Sequence, residues 1–366
     1  MRILLLADAA SSHTKKWSIA LAERGFTVAV FSLNYSDSEW ADEKNIKLFF
    51  GLSEKKSGSS FWSKILYITS VPALKRVIRD YKPDILHAHY ATSYGLLGSM
   101  TGFKPFYTYA WGTDIIKFPQ KSVLHKYLLK WNLKKADRIF ALSNFLKKEI
   151  NSLINKNVTV IPFGVATSVF CPNHNLSLFP SGYFIIGIIK SLEPVYRIDL
   201  AIEAFSIIKK NYNSKTWKLL IVGGGSLEET LKIKVAGLKL QDDVIFTGRV
   251  SHEDVIKYHN SIDIYLNVSD YESLGVSVLE SSACEKPVIV TRVGGLPEVV
   301  VENETGYLIE RNNVVQLVEK IMTLIDNPDI AKQMGIKGRE FVKQNYEWSQ
   351  CVDKMIAEYH LEKSAT

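Results

Sequence analysis

The chain has 366 residues, of which 46% are hydrophobic and 23% charged; that composition supports two packed domains and excludes a disordered or fibrous chain. Its three cysteines, Cys171, Cys284 and Cys351, are far apart in sequence, which excludes a disulfide scaffold and a thiolate metal site and points to reduced thiols in the cytoplasm. The formal net charge of +7 hides an asymmetry: residues 1–168 carry twice as many basic as acidic side chains while the remainder is net acidic, so an anionic partner, nucleic acid or membrane, would meet the first half.

The apolar start MRILLLADAA runs into Ser, His and Lys without a cleavage pattern and reads as a first buried strand rather than a signal peptide. No apolar run reaches the ~18 residues of a spanning helix. RILLLADA (2–9) is followed by a helix-like WSIALAERG (17–25), with Gly25 where a C-terminal glycine stops a helix, and then by TVAVFSL (27–33). DILHAHY (84–90), FYTYAW (106–111), RIFALS (138–143) and VTVIPFG (158–164) continue the series, separated mostly by helical periodicity. CPNHNLSLFPSG (171–182), rich in Pro, Asn and Ser, reads as a linker. A second series follows: YFIIGIIKS (183–191), WKLLIVGGG (217–225), DVIFTGR (243–249), IDIYLNVS (262–269) and PVIVTRVGG (287–295). Two α/β, doubly wound Rossmann-like domains are therefore expected, 1–168 and 169–348, facing across a cleft with ligands at the carboxyl ends of their strands. The last run, WSQCVDKMIAEYHLE (348–362), is helical and by periodicity suits either domain.

The chemistry concentrates in YESLGVSVLE (271–280). A buried strand leads into a polar turn and then a helix from Gly275, with Ser273 as the expected N-cap. Glu272 falls in the turn and Glu280 two helical turns on, bracketing the helix N-terminus by roughly 10 Å. The unpaired amides of Leu274, Gly275 and Val276 and the helix dipole favour a phosphate between them, and Gly275 lets an anion approach the backbone. Ionised carboxylates only accept hydrogen bonds, which suits hydroxyl groups. The order is hydroxyls, diphosphate, hydroxyls, the outline of a nucleotide sugar, with the ribose at Glu280 and the transferred sugar at Glu272. The plainer explanation, two solvated glutamates on a surface helix, does not require strand, turn, glycine and helix in this order.

In this element the chain resembles the family 4 retaining glycosyltransferases of GT-B fold. The resemblance rests on ESLGVSVLE, extended by ACEKPVIVTRVGGLPEVV (283–300) and ETGYLI (304–309), on GIIKSLEPVYRIDLAIEAF (187–205), LLIVGGGSLEETL (219–231) and VIFTGRVSHEDV (244–255), and in the first half on ADRIFALSNFLKKEI (136–150) and VIPFGV (160–165). It covers nearly the whole chain and is weakest over 35–80. It implies sugar transfer with retention of anomeric configuration and without a metal, a donor on the second domain, most often a UDP-sugar with GDP as the alternative, an acceptor on the first domain, and a C-terminal helix (349–366) that returns to the first domain. Carried over by position, Glu272 contacts the donor sugar, Glu280 the ribose, and the amides of 274–276 the phosphates. Lys190 matches the first of two cations expected on the diphosphate. The second falls near Val195, and Arg197, where a glycine is common, is the substitute candidate. Gly223 and Gly224 lack a dinucleotide fingerprint and read as a close backbone approach beside the donor, with Arg249 near the base.

On the acceptor side, Ser12 and His13 stand where the family has a glycine-rich loop, and His89 shares a strand face with His87; each also suits a purely structural role. Trp111 replaces a histidine that the family carries near the donor sugar, and Asp114 is the candidate to touch or deprotonate the acceptor hydroxyl, or else a cap. Residues 115–136 hold six lysines and no acid. Leu124, Tyr127, Leu128 and Trp131 lie at helical spacing beside Lys126, Lys130 and Lys134, as in a helix lying on an anionic membrane or in an ordinary packed helix; FWSKILYITSVPALKRVIRDY (61–81) is a second apolar-basic segment. Nucleic acid is set aside for want of a binding motif. The expected partners are a nucleotide sugar, a glycan or lipid-linked acceptor and the inner face of the plasma membrane, with no cofactor beyond the donor. The alternatives are another GT-B activity, an epimerase or a phosphorylase, and a non-catalytic nucleotide-sugar-binding or glycan-binding protein.

Overall fold

The computed structural model describes residues 1–37, 39–51, 67–212 and 216–363. The chain divides into two compact units, Met1–Pro162 with Cys351–Thr366, and Phe163–Gln350. In the first unit, β1 (Arg2–Leu6), β2 (Thr27–Ser32), β3 (Lys47–Phe50), β4 (Ile85–His89), β5 (Phe106–Ala110), β6 (Arg138–Ala141) and β7 (Val158–Val160) form one sheet in the order β3-β2-β1-β4-β5-β6-β7. Every pairing in it is parallel. Helices cover both faces of such a sheet, so its strands read as continuous apolar runs: Ile3, Leu4, Leu5 and Leu6 are all fully buried. Ser143 caps the helix Asn144–Leu153 by accepting from the Leu146 amide at 3.2 Å, which supports the helix start that the sequence places after RIFALS.

The C-terminal helix Trp348–Lys363 contributes a buried i, i+4, i+8 stripe, Cys351, Met355 and Tyr359, and from Cys351 onward it belongs to the first unit. Its polar anchors are specific. Asp353 pairs with Arg24 at 2.9 Å, Glu358 with Arg138 at 2.5 Å, and the Tyr359 hydroxyl meets His87 Nδ1 at 2.6 Å. His87 is thereby a core histidine. Burial, and then neighbouring His89, hold its pKa well below the usual imidazole range.

The second unit carries β8 (Phe184–Ile189), β9 (Trp217–Val222), β10 (Val244–Phe246), β11 (Ile264–Asn267), β12 (Val288–Thr291) and β13 (Gly306–Ile309), in the order β10-β9-β8-β11-β12-β13. All of these pairs are parallel as well. Ile186, Ile188, Leu219, Ile221, Ile264 and Leu266 from the strands pack with Phe205 and Leu317 from flanking helices. The stretch 171–182, expected to link two domains, lies wholly within this unit. Asn173 N–H donates to Asn260 Oδ1 at 2.7 Å and Leu178 N–H to Ser261 Oγ at 2.9 Å, so its polar composition serves docking on the helix Val255–Ser261.

Both sheets reverse their strand order once, between β1 and β4 in the first unit and between β8 and β11 in the second. Those reversals open a crevice at the carboxyl ends of the strands. Lys190 directly follows β8, the turn holding Glu272 follows β11, His13 follows β1, and His89 ends β4.

Candidate active site

At the switch point of the second sheet, Lys190 Nζ pairs with Glu272 Oε2. The two side chains are only 14% and 13% exposed, and the ammonium also lies 4.8 Å from the centre of the Tyr196 ring. Burial works against the Lys190 charge, yet Glu272 and the nearby Tyr265 and Tyr196 phenols hold its pKa above the ordinary lysine value. Lys190 is therefore charged at neutral pH.

The backbone around Glu272 is clamped by the loop after β12. Gly295 N–H donates to the Glu272 carbonyl at 2.9 Å. Gly294 has φ 55°, and a Cβ there would stand 1.9 Å from that carbonyl oxygen; one at Gly295 would stand 2.3 Å from Ser273 O. Side chains at either position would push the turn out of place. From the other side, Asp270 N–H donates to Val195 O at 2.8 Å.

The helix that follows spans Val276–Ala283, and its N-cap residue is Gly275 rather than Ser273. Gly275 has φ 97°, and a Cβ would come within 2.7 Å of Leu296 Cδ2, so the chain enters the helix through a conformation that only glycine tolerates well. Val278 and Leu279 amides bond to the Gly275 carbonyl. No backbone acceptor among the described residues takes the amides of Leu274, Gly275 or Val276, and they form the row of donors expected at a helix start. Glu280 lies further along this helix, 8% exposed. Its Oε2 is 3.3 Å from Nε2 of the fully buried His259, whose Nδ1 is 2.7 Å from Ser281 Oγ. Tyr265 OH meets Ser277 Oγ at 2.6 Å, and burial pushes that phenol up to about 12. Sequence spacing does not bring His259 or Tyr265 to this helix, because they reach it from elsewhere in the fold.

Other donor-side residues are held by their own contacts. Arg197 is engaged by its neighbours. Its guanidinium bonds to Asp199 at 3.0 Å, lies 3.5 Å from Asp270, and bonds to Asn312. Its backbone is left-handed at φ 49°, which accounts for the reading of this position as one that suits glycine. Gly223 (φ 135°) and Gly225 are small because the β8 loop presses on them: added Cβ atoms would lie 2.0 Å from Lys190 O and 2.5 Å from Leu192 O. Gly224 abuts Arg249, whose Cγ would be 2.9 Å from a Cβ there. Arg249 is exposed at the end of the neighbouring loop.

In the first unit the switch-point edge gathers His13, His89 and Trp111. The Trp111 ring lies 5.7 Å from His13 and 5.6 Å from His89, with Tyr90 at 6.4 Å. Tyr90 OH meets Thr113 Oγ1 at 2.5 Å. Ser12 is exposed at the start of the helix Ser12–Glu23. His89 is buried, and burial, then His13, lower its pKa to about 3, so its imidazole is neutral. Asp114 lies inside the unit. It has no accessible surface and accepts from the amides of Ala91 at 2.7 Å, Gly112 at 2.7 Å and Trp111 at 3.2 Å. Burial raises its pKa while those amides oppose the rise. It is a clasp that holds the loop carrying Trp111 to the end of β4.

The basic helix spans Val123–Lys135 and buries Leu129, Asn132 and Leu133. Leu128 and Trp131 are half-buried, whereas Val123, Leu124 and Tyr127 are 87%, 70% and 69% exposed, among the exposed Lys117, Lys121 and Lys126. Of the segment 61–81, residues 61–66 lie outside the described residues. The helix Val71–Tyr81 within it packs Val71, Leu74 and Tyr81 into the unit. No helix of the described residues is long and apolar enough to cross a membrane.

Two family models match the chain: one for glycosyl transferases group 1 over residues 173–341, and one described as glycosyl transferase 4-like over residues 2–143. The N-acetyl-alpha-D-glucosaminyl L-malate synthase of Bacillus anthracis is 28% identical over 75% of this chain and 73% of its own. The solved structure of a sucrose-phosphate synthase from Thermosynechococcus elongatus superposes with a TM-score of 0.88 at 20% identity, over the whole of both chains. Anabaena HepE, solved with UDP and glucose, superposes with a TM-score of 0.80 at 17% identity over 98% of this chain and 99% of its own. With two parallel-sheet Rossmann-like units, matches to both family models and GT-B structural neighbours, the chain belongs to the group 1 glycosyltransferases, the family 4 type, and is a sugar-transferring enzyme.

Proposed function

We propose that the chain transfers a hexose or N-acetylhexosamine from a nucleotide sugar, UDP- in preference to GDP-, to a hydroxyl of a glycan or lipid-linked acceptor in cell-surface polysaccharide synthesis. Anomeric configuration is retained and no metal takes part. The observation that carries this is the Lys190–Glu272 pair set beside the open helix start at Gly275, with Glu280 further along the same helix. The diphosphate lies against the amides of 274–276 and Lys190, the ribose diol at Glu280, and the sugar at Glu272. When the donor enters, Lys190 turns from Glu272 to the phosphates, and Glu272 accepts from sugar hydroxyls. The acceptor oxygen attacks the anomeric carbon from the face that the diphosphate leaves. The C–O bond to phosphate breaks, and the acceptor proton passes to the departing phosphate oxygen. Lys190 and the helix amides stabilise the charge that grows on that oxygen, which is the part a metal plays elsewhere.

Support for the sugar comes from the Bacillus anthracis relative, named for an N-acetyl-alpha-D-glucosaminyl product, and for the nucleotide from HepE, solved with UDP and glucose. The acceptor belongs to the first unit, beside His13, His89 and Trp111. Exposed Val123, Leu124 and Tyr127 among lysines suit peripheral docking on an anionic inner leaflet, which would bring a lipid-linked acceptor to the enzyme. Vesicles with and without anionic lipid test that docking in a flotation assay: binding only to anionic vesicles is expected, and no binding to either removes it.

The test of function is a thermal-shift screen of UDP- and GDP-sugars, since a ligand specific to the native state raises its melting point by mass action. The hit is then incubated with glycan acceptors and the product's anomeric coupling read by NMR. Stabilisation by a UDP-sugar and an α product from an α donor are expected. Absence of any hit, or an inverted product, overturns the proposal.

A further inference from the structure

Glu280 is held by a residue that no sequence motif marks. We infer that His259 is a positioning residue for the nucleotide's ribose, acting through Glu280; the inference rests on the assignment of Glu280 to the ribose. His259 has no accessible surface. Its ring is boxed by Phe170 at 5.7 Å and Tyr265 at 6.0 Å between centroids, so it cannot swing. Nδ1 lies 2.7 Å from Ser281 Oγ and Nε2 3.3 Å from Glu280 Oε2. A carboxylate only accepts, whereas a hydroxyl can donate or accept. Nε2–H donates to Glu280, and Nδ1 bonds to the Ser281 hydroxyl. The imidazole then fixes one carboxylate oxygen. Fixing it sets the plane of the whole group, because the two oxygens move together.

The consequence concerns a flexible side chain. Glu280 sits inside the helix Val276–Ala283, and a glutamate there has several rotamers that would miss a vicinal diol. The imidazole selects one. A second anchor on the same helix, Ser277 to Tyr265 OH at 2.6 Å, keeps the helix from rotating about its axis. His259 touches no substrate atom, and its effect is confined to the hydroxyls that Glu280 reads.

The experiment compares UDP with 2′,3′-dideoxyuridine diphosphate by calorimetry on the full chain. A hydrogen bond to a charged group changes affinity on the order of 10-fold or more, so the wild type is expected to prefer UDP by about that factor. His259→Phe keeps an aromatic ring against Phe170 and Tyr265 and removes both hydrogen bonds. It is expected to lower the preference several-fold toward one while leaving the affinity for the dideoxy ligand unchanged. His259→Gln, which restores an N–H donor, is expected to recover much of it. A His259→Phe preference equal to the wild type's, or equal weakening toward both ligands, overturns the inference, since a merely structural histidine would give one of those results. Should His259→Phe not fold, Ser281→Ala, which frees the imidazole at Nδ1, is read by the same two outcomes. Glu280→Gln separates the layers: if it leaves the UDP preference intact, the ribose assignment itself fails, and the inference with it.

Discussion

Lys190→Met leaves the Glu272 carboxyl nearly buried and without its cation. Removing one partner of a buried pair costs about 3–5 kcal/mol, because the survivor's desolvation is no longer offset. Lys190 and Glu272 keep 14% and 13% of their side-chain surface, so water recovers part of the loss and the low end, about 3 kcal/mol, applies. Glu272→Gln strands the lysine in the same way. The double variant strands neither, and its cost should fall below the sum of the two singles by about 2 kcal/mol or more. Turnover behaves differently. Each single change and the double are expected to lose on the order of 10²-fold in kcat, because the diphosphate cation or the sugar contact is gone in every case. Urea denaturation gives the stability cycle, and donor turnover gives the kinetics. The folded-state pKa of Lys190 is raised, so the lysine's contribution is fully present below the ordinary lysine pKa and is lost as pH rises through the folded value. Strictly additive stabilities at pH 7.5, or a double variant that recovers turnover, would refute the reasoning.

Gly294→Ala places a Cβ 1.9 Å from the Glu272 carbonyl at φ 55°; it should cost about 2–4 kcal/mol and reduce turnover, whereas Gly25→Ala, with nothing within 4 Å, should cost only ~1 kcal/mol in stability with activity unchanged. Chemical denaturation with parallel turnover assays checks the contrast. The two buried histidines set a pH dependence. His87 and His89 have folded pKa values below the unfolded one, His89 at about 3, so the unfolded state binds more protons below pH ~6.5 and stability there falls by about 1.4 kcal/mol per pH unit for each histidine. His89→Phe should flatten that slope in urea titrations between pH 7.5 and 5.0. Asp114→Ala strips three amides of their acceptor and should destabilise the first unit by about 2–4 kcal/mol, while the pH profile of kcat per folded molecule stays unshifted; a lost acidic limb would restore Asp114 as a base.

Much of the fold is written in local pattern. Parallel strands covered on both faces read as apolar runs, so RILLLADA and IDIYLNVS need no tertiary information. The stripe Cys351, Met355 and Tyr359 marks a buried helix face, yet periodicity does not say which unit receives it. That choice is made by His87, Arg138 and Arg24, hundreds of residues away. The donor element is legible because strand, turn, glycine and helix are adjacent in sequence. Where residue type and local contacts diverge, one cause recurs. Ser273 has the right chemistry for a cap, but Gly275 alone tolerates the entry angle. Arg197 has the right charge, but Asp199, Asp270 and Asn312 compete for its guanidinium. Asp114 has the right functional group, but three backbone amides already occupy it. In each case residue type states what a side chain can do, and the contacts made by folding decide which of those options remains. His259 was illegible for the converse reason: its chemistry is ordinary until the fold sets it against Glu280.

The most direct measurement is a crystal structure of the chain with a non-hydrolysable UDP-sugar. Diphosphate oxygens are expected within hydrogen-bond distance of the Leu274–Val276 amides and of Lys190 Nζ, ribose hydroxyls on Glu280, and sugar hydroxyls on Glu272 with its bond to Lys190 opened. A nucleotide bound away from the Gly275 helix start, or a complex in which Lys190 stays on Glu272 and neither carboxylate touches the ligand, would contradict that placement.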